Sequence, residues 1–157
     1  MGVTSKTYGL AGLRIGWIAT QNQELLDELG AFKDYTSICN SAPSEFLATL
    51  ALRNAEPIVE RNLRIIRNNL ERLDSFFALH EDWFEWYRPK AGPIAFPRLR
   101  RGEVGEFCRD LVERAGVLLL PGSLYTGGFS AFRIGFGRNE IAVALDRLDA
   151  YLHSFAS

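Results

Sequence analysis

The most regular hydrophobic pattern runs through the middle of the chain. From Pro57 onward, apolar side chains recur at steps of four and three residues, at Val59, Leu63, Ile66, Leu70, Leu73 and Phe77. This spacing places them on one stripe and predicts a helix of about six turns. The stripe lasts only about three heptads, so we expect a helix that packs within the molecule and bridges two domains rather than a coiled coil.

Four shorter periodic stretches predict further helices. They begin after Asn22, at Pro43, at about Val104 and after Asn139. Asparagine caps helices, and proline is favoured in a first turn because that position has no hydrogen bond to lose. Gly116 is expected to end the third of these helices.

Apolar and aromatic runs between these helices predict strands. Residues 83–88 and 94–96 are joined by the turn residues 89–93, and together they predict a hairpin. Residues 117–120 form a fully apolar strand, and 131–137 predict the last one. The mixture of helices and strands predicts an α/β chain.

Composition is typical of a globular protein and argues against two kinds of partner. The 157 residues are 47% hydrophobic and 24% charged. A formal net charge of −1 argues against a nucleic acid bound through bulk electrostatics. No apolar run approaches the roughly 20 residues that a spanning helix needs, and the N-terminus lacks a signal-peptide pattern. We therefore expect a cytoplasmic protein with no membrane or nucleic-acid partner.

Charged, aromatic and metal-type side chains outside the first twenty residues receive structural interpretations. The polar face of the long helix is either a basic docking face or a solvated surface, and near-neutral total charge favours the second. The aromatic run 83–88 is interpreted as core packing rather than a base-stacking surface. Cys39 and Cys108 lie far apart and His80 and His153 are isolated, so we expect neither a disulfide nor a metal site.

The strongest chemical signal lies between Thr4 and Ala19. Lys6, one of only three lysines, stands among hydroxyl side chains and is followed by three glycines and Arg14. A lysine amine forms a Schiff base with a carbonyl when burial or a nearby cation lowers its pKa, and Arg14 is a candidate for that cation. An arginine fork also suits a phosphate dianion. An imine-forming lysine beside a phosphate-binding arginine suggests pyridoxal phosphate.

The run Ser5-Lys6-Thr7-Tyr8-Gly9-Leu10-Ala11-Gly12-Leu13-Arg14-Ile15-Gly16-Trp17 resembles the signature around the cofactor lysine of class I/II (fold-type I) pyridoxal-phosphate aminotransferases. The resemblance implies that Lys6 carries the Schiff base to pyridoxal 5'-phosphate and shuttles a proton. It also implies that Arg14 binds the cofactor phosphate. Many members have a phosphate-binding serine where this chain has Val3. The phosphate site therefore either has one hydroxyl fewer than in those members or uses Ser5 instead.

Arg133 is the second candidate binding residue. It stands in a predicted strand between Phe132 and Ile134, where an inward-facing charge needs an anionic partner. From the residues alone, this interpretation and a side chain facing solvent remain equally open. The run from Phe132 to Gly137 resembles the C-terminal arginine motif of the same family. That resemblance implies that Arg133 holds the substrate α-carboxylate in a bidentate pair.

The resemblance covers essentially the whole chain but begins only at the cofactor lysine. It implies the C-terminal part of the fold-type I pyridoxal-phosphate-dependent transferase fold, which is α/β, with a long crossing helix and a small α/β sandwich domain. We expect residues 1–55 to be the remnant of the large cofactor domain, 56–80 the connecting helix and 81–157 the small domain. The N-terminal cofactor domain would then be missing and the isolated chain inactive.

The function implied by the resemblance is transfer of an amino group between an amino acid and a 2-oxo acid by a homodimer. Two alternatives remain. A pyridoxal-phosphate lyase or decarboxylase of the same fold shares the lysine and both arginines. A non-catalytic binding module would keep only the small domain.

Overall fold

The computed structural model describes residues 1–125 and 130–155. The chain divides into two compact units, Met1–Leu63 (unit 1) and Arg64–Ser157 (unit 2). A single helix of 25 residues, α3 (Ala55–Leu79), contributes residues to both units. The predicted long helix is therefore present. The three-part division at residues 55 and 80 stays a prediction.

Unit 1 consists of a two-stranded ribbon followed by helices. Strand β1 (Gly2–Val3) pairs antiparallel with β2 (Gly16–Trp17), and helices α1 (Gln23–Thr36) and α2 (Ala42–Arg53) precede α3. A side chain at Gly2 would collide with the indole of Trp17, its partner across the ribbon. A larger residue at this position would therefore displace the Trp17 ring, and the ribbon fixes both ends of the segment between the strands.

Helix α1 begins as predicted, because the Asn22 side chain accepts a hydrogen bond of 3.1 Å from the backbone N–H of Leu25. Its apolar face, however, packs against very little. None of its residues is buried, and Phe32 is 66% exposed. In unit 1, which the structure describes throughout, the only buried residues are Thr4, Ala48 and Ala51. The periodicity thus predicts the helix correctly but not what covers it.

Unit 2 is a small mixed domain with two sheets. Its remaining elements are β3 (Phe84–Glu85), β4 (Ile94–Ala95), β5 (Arg98–Leu99), α4 (Val104–Ala115), β6 (Leu120–Pro121), β7 (Phe132–Gly135) and α5 (Ile141–His153). The larger sheet has the order β4-β7-β6, and β3 pairs with β5; all pairings are antiparallel. This arrangement places β7, which carries Arg133, at the centre of the larger sheet.

The core of unit 2 is rich in large side chains. Side chains from α3, both sheets, α4 and α5 meet there, and Phe84, Phe132, Phe136, Leu111 and Leu148 are at most 1% exposed. Phe84 packs edge-on against Phe132 with ring centroids 5.6 Å apart. Burial of each such side chain contributes about 1.5–3 kcal/mol relative to leaving it exposed, so this cluster contributes strongly to the stability of the unit.

The predicted hairpin over residues 83–96 is wrong. Strand β3 pairs with β5 rather than with β4, which pairs with β7 instead. The segment after β3 is drawn to helix α3, because Trp86 Nε1 and Arg88 Nε each donate a 2.7 Å hydrogen bond to the carboxylate of Asp74. Long-range pairing therefore overrides the local turn signal of residues 89–93.

The helix ends in unit 2 give one confirmation and one correction. Helix α4 spans Val104–Ala115 and ends at Gly116, whose φ of 66° is the left-handed conformation that favours glycine. By contrast, α5 has Glu140 as its N-cap, without a side-chain cap, rather than the predicted Asn139.

Within residues 1–125 and 130–155, no helix combines the length and the apolar character that crossing a membrane requires.

Candidate functional site

The segment that carries Lys6 and Arg14 is the loop between β1 and β2, residues 4–15, called here the anchor loop. Thr4 closes its base. The Thr4 backbone N–H donates to the carbonyl of Ile15 at 3.0 Å, and its hydroxyl lies 3.0 Å from the same oxygen. The backbone N–H of Leu10 donates to the carbonyl of Thr4 at 3.0 Å. Thr4 is fully buried, so the two ends of the loop are held together by a satisfied polar contact.

Lys6 lies in a tight turn of this loop. The N–H of Gly9 donates to the carbonyl of Lys6 at 3.1 Å, and Gly9 adopts a φ of 68° that favours glycine. On α3, Asn62 Nδ2 donates to the carbonyl of Thr7 at 3.0 Å, which ties the turn to the helix within unit 1. The Lys6 side chain is exposed. The backbone of the turn is thus fixed while the amine stays accessible.

Arg14 follows a single 3-10 turn, Ala11–Leu13, and has a left-handed backbone with φ 56° and ψ 36°. A non-glycine residue in that region costs of order 1 kcal/mol, and such strain is concentrated at functional sites. One guanidinium nitrogen, Nη1, donates to the carbonyl of Ala11 at 3.2 Å. No carboxylate of the described residues lies within 4.0 Å of the guanidinium. The exposed side chain is therefore oriented by its own loop and free to bind an anion.

Three of the four predicted site residues lie on the anchor loop. Ser5 is half-buried beside the exposed Lys6, and Arg14 lies near the base of the loop. Val3, on strand β1, has no hydroxyl to offer. An amine, a hydroxyl and a guanidinium on one closed loop form a donor set suited to a carbonyl compound that carries an anionic group. Sequence reasoning missed the closing role of Thr4 and the tether from Asn62, which no local pattern marks.

Arg133 belongs to unit 2, where it lies on β7 opposite Leu120 of β6. Its neighbours Phe132 and Ile134 are buried, so strand alternation turns Arg133 to the face away from the core. The side chain is half-buried, and Nη1 donates to the hydroxyl of Tyr125 at 3.4 Å. The structure thus places Arg133 on the outer face of the sheet. None of the described carboxylates lies within 4.0 Å of it.

The two histidines are not isolated, contrary to the sequence interpretation. His80 Nε2 lies 2.7 Å from Asp149 Oδ1, and His153 Nδ1 lies 3.5 Å from Asp149 Oδ2. His80 is buried and its ring lies 4.6 Å from that of Phe76. The arrangement links the residue after α3 to the C-terminal part of α5. Separation of 69 residues in sequence hid this contact from pattern analysis.

Two titratable groups in unit 2 have pKa values that are raised by burial in the core. Burial, with a smaller contribution from the nearby charge of Glu103, raises the pKa of Cys108 to about 11. Burial also raises the pKa of Tyr151, and its hydroxyl donates to Asp110 at 2.7 Å. Both groups stay neutral at physiological pH. They are structural parts of the core.

Comparison with known proteins places the chain in one family. The aminotransferase class I and II profile matches residues 1–148. The chain is 35% identical over 136 residues to capreomycidine synthase of Streptomyces vinaceus and 34% identical over 139 residues to histidinol-phosphate aminotransferase of Leptospira interrogans. These alignments include 86% and 88% of this chain but only 34% and 35% of those proteins. The chain therefore spans about a third of the length of these curated relatives.

Solved structures show the same fold. A pyridoxal-phosphate-dependent aminotransferase from Streptococcus suis superposes with a TM-score of 0.88 at 34% identity, covering 97% of this chain and 41% of that one. The pyridoxal-phosphate-dependent cyclase OrfR gives a TM-score of 0.87 at 34% identity, with 98% and 42% covered. The fold is therefore that of the fold-type I transferases, as expected, and the family is one of pyridoxal-phosphate enzymes. This chain belongs to the aminotransferase class I and II family.

Proposed function

We propose that the chain is part of a pyridoxal-phosphate-dependent aminotransferase that moves an amino group between an amino acid and a 2-oxo acid. The observation that carries the proposal is the anchor loop, in which one fixed segment presents both an exposed lysine and an exposed arginine oriented by its own backbone. Membership of the aminotransferase class I and II family supports this reaction class. We also propose that these 157 residues are inactive on their own.

The donor set of the anchor loop fits pyridoxal phosphate. The Lys6 amine suits an aldehyde, and the Arg14 guanidinium and Ser5 hydroxyl suit a phosphate. The Ser5 hydroxyl makes no hydrogen bond to any of the described residues, and the Arg14 guanidinium makes only one, to Ala11. When bound, pyridoxal phosphate supplies an aldehyde that exchanges amino groups and a ring that accepts electrons from the substrate.

We assign a separate role in this reaction to each of three residues of the chain. Lys6 holds the cofactor and, once its amine is free, moves the proton at the substrate Cα. Arg14 would hold the phosphate end of the cofactor through charge-assisted hydrogen bonds. Arg133 binds the substrate carboxylate as a fork, which orients the Cα–H bond. The proposed inactivity of the isolated chain rests on its length, which is about a third of that of the curated relatives it matches.

Borohydride reduction tests the cofactor contacts. The chain is incubated with pyridoxal phosphate or with pyridoxal, reduced, digested and analysed by mass spectrometry at Lys6, with Lys33 and Lys90 as internal controls. We expect Lys6 to be labelled preferentially, and about tenfold more readily with the phosphate present, because a charge-assisted hydrogen bond is worth about 1.5–3 kcal/mol. The variant Arg14→Gln removes that preference.

Two results would count against the proposal. Equal labelling of all three lysines would mean that the anchor loop does not select the cofactor. Turnover of an amino acid and a 2-oxo acid by the purified 157-residue chain would contradict its inactivity.

A second reaction class is favoured by a specific observation. Two of the proteins most similar to this chain are a capreomycidine synthase and a cyclase rather than aminotransferases. A chimaera of this chain with the part of the Streptococcus suis aminotransferase that it does not cover allows product analysis. Formation of a new amino acid only when a 2-oxo acid is added supports transamination. Consumption of the amino acid without any acceptor supports a cyclase or lyase.

A further inference from the structure

The outer face of the larger sheet in unit 2 carries more than Arg133. On β4, Ile94 lies opposite Gly135 and Ala95 lies opposite Ile134. Because Ala95 and Ile134 are buried, alternation turns Ile94 and the following Phe96 to the face that Arg133 occupies. Phe96 is 43% exposed there. An aromatic side chain is thus available on the same face as the candidate carboxylate-binding residue.

Tyr125 completes this group from the other edge of the sheet. It follows β6 after a short 3-10 turn, Gly122–Leu124. The N–H of Gly122 donates to the carbonyl of Ala131 at 2.6 Å, and the N–H of Tyr125 donates to the carbonyl of Gly122 at 3.0 Å. The turn is therefore tied to the residue before β7 through Gly122, and Tyr125 is held to the turn by one backbone hydrogen bond.

The ring of Tyr125 is also held by packing. Phe96 and Tyr125 meet edge-to-face, with ring centroids 5.3 Å apart and planes at 88°. This is a favoured geometry for aromatic pairs, because the positive edge of one ring faces the negative face of the other. It leaves the Tyr125 hydroxyl 3.4 Å from Arg133 Nη1, where it accepts a hydrogen bond.

We infer that Tyr125 is a positioning residue for Arg133, and that Phe96 holds Tyr125 in place. The inference rests on the proposed function, in which Arg133 binds the substrate carboxylate. A guanidinium has five N–H donors, and one contact to a neutral hydroxyl leaves enough for a bidentate pair. Restricting the long arginine side chain before the ligand arrives lowers the entropy lost on binding. A neutral partner does this without competing for the charge as a carboxylate would.

Side-chain NMR and binding to one probe test the inference on the full 157-residue chain. The probe is 2-oxoglutarate, and the variants are Tyr125→Phe, which keeps the ring and its contact with Phe96, and Arg133→Lys. We expect Tyr125→Phe to weaken 2-oxoglutarate binding about three- to tenfold, as loss of one hydrogen bond implies. In the ligand-free chain it should also speed rotation of the Arg133 guanidinium, seen as averaging of its Nη signals. An unchanged melting temperature checks that Tyr125→Phe remains folded.

The outcomes separate the two proposals. If Arg133→Lys leaves binding unchanged, or if wild type binds no 2-oxoglutarate, the carboxylate role of Arg133 fails. If Arg133→Lys weakens binding while Tyr125→Phe changes neither affinity nor the guanidinium signals, the positioning role of Tyr125 fails. The ligand-free signals decide the contact between Arg133 and Tyr125 whatever the result with the probe. A variant Phe96→Leu is expected to give a smaller effect of the same kind on both readouts.

Discussion

Units 1 and 2 use the same local signals but differ in what covers their apolar faces. Helix α1 in unit 1 and α4 in unit 2 both begin at a residue whose side chain caps the first turn. Helix α4 buries four residues, including Phe107 and Leu111, in the core, whereas α1 buries none. Sequence periodicity therefore specifies a helix and its apolar face, but stability depends on a partner for that face.

The two units also differ in how many buried residues support their candidate site residues. Unit 1 carries the anchor loop with Lys6 and Arg14, yet its buried residues number only three within Met1–Leu63, all of which the structure describes. Unit 2 carries the core cluster and presents Arg133 from the central strand of a sheet. Arg133 therefore lies on a backbone that the core of unit 2 supports. The anchor loop instead depends on a few hydrogen bonds around Thr4.

The largest expected effect comes from comparing two leucine-to-alanine substitutions, one in the core of unit 2 and one on helix α1. Leu111→Ala in α4 should lower the free energy of unfolding by about 2–5 kcal/mol, because Leu111 is 0% exposed and leaves a cavity. Leu25→Ala in α1, at a leucine that is 41% exposed, should cost about 1 kcal/mol or less. Urea unfolding followed by near-ultraviolet circular dichroism measures both. Equal losses would show that α1 is packed as tightly as α4.

The buried polar link in unit 2 gives the next largest effect. Asp149→Ala removes the carboxylate 2.7 Å from the buried His80 ring and leaves Nε2 without that partner. We expect a loss of about 1–3 kcal/mol, the usual cost of an unsatisfied buried group. His153→Ala, at a largely exposed ring, is the control and should cost about 0.5 kcal/mol or less. A larger loss from the control would mean that His153, not His80, stabilises the link.

Exposed apolar side chains in unit 1 predict self-association. An open cleft of about 760 Å³ lies between the β1–β2 ribbon and α1, and Trp17, Leu26 and Phe32 line it. Large contiguous apolar surface favours association. Phe32→Glu should weaken dimerisation about tenfold in sedimentation experiments, since burying a phenylalanine is worth about 1.5–3 kcal/mol. Leu79→Glu, in unit 2, is the control at a residue that is 79% exposed. An equal effect of both would point to general charge repulsion.

Much of the fold follows from the sequence, and the failures have a common cause. Helix α4 and its end at Gly116 were predictable because periodicity and a left-handed glycine are local properties. The hairpin over residues 83–96 failed because Asp74, distant in sequence, binds Trp86 and Arg88. The link between His80 and Asp149 escaped detection for the same reason. Contacts between distant segments are not encoded in a local pattern.

The candidate site divides in the same way. Lys6, Ser5 and Arg14 lie within ten residues, so their shared location on one loop could be predicted from the sequence. The tether from Asn62 to Thr7, which spans 55 residues, could not. Nor could the contact between Arg133 and Tyr125, because it depends on how β6 and β7 pair. Their functional roles remain proposals for the experiments above.

The smallest effect contrasts the two cysteines. Cys39 in unit 1 is exposed, whereas Cys108 in unit 2 is buried. Because burial raises the pKa of Cys108 to about 11, it stays a thiol at pH 9, where an ordinary cysteine is largely thiolate. Iodoacetamide should therefore alkylate Cys39 at pH 8–9 and leave Cys108 unmodified until unit 2 unfolds. Mass spectrometry of digested protein measures both sites, and rapid alkylation of Cys108 would show that the core opens readily.

The same shift determines how stability depends on pH. The folded state keeps the Cys108 proton to about pH 11, while the unfolded chain releases it near pH 9. Above pH 9 the unfolded state therefore binds fewer protons, and the free energy of unfolding falls as pH rises from 9 towards 11. The raised pKa of Tyr151 lowers the free energy of unfolding further above pH 10. Cys108→Ala should make the decline shallower, starting at about pH 10 rather than 9. The control Cys39→Ala, at an exposed thiol outside the core of unit 2, should leave the decline unchanged. An equal effect of both substitutions would show that burial in that core is not the cause.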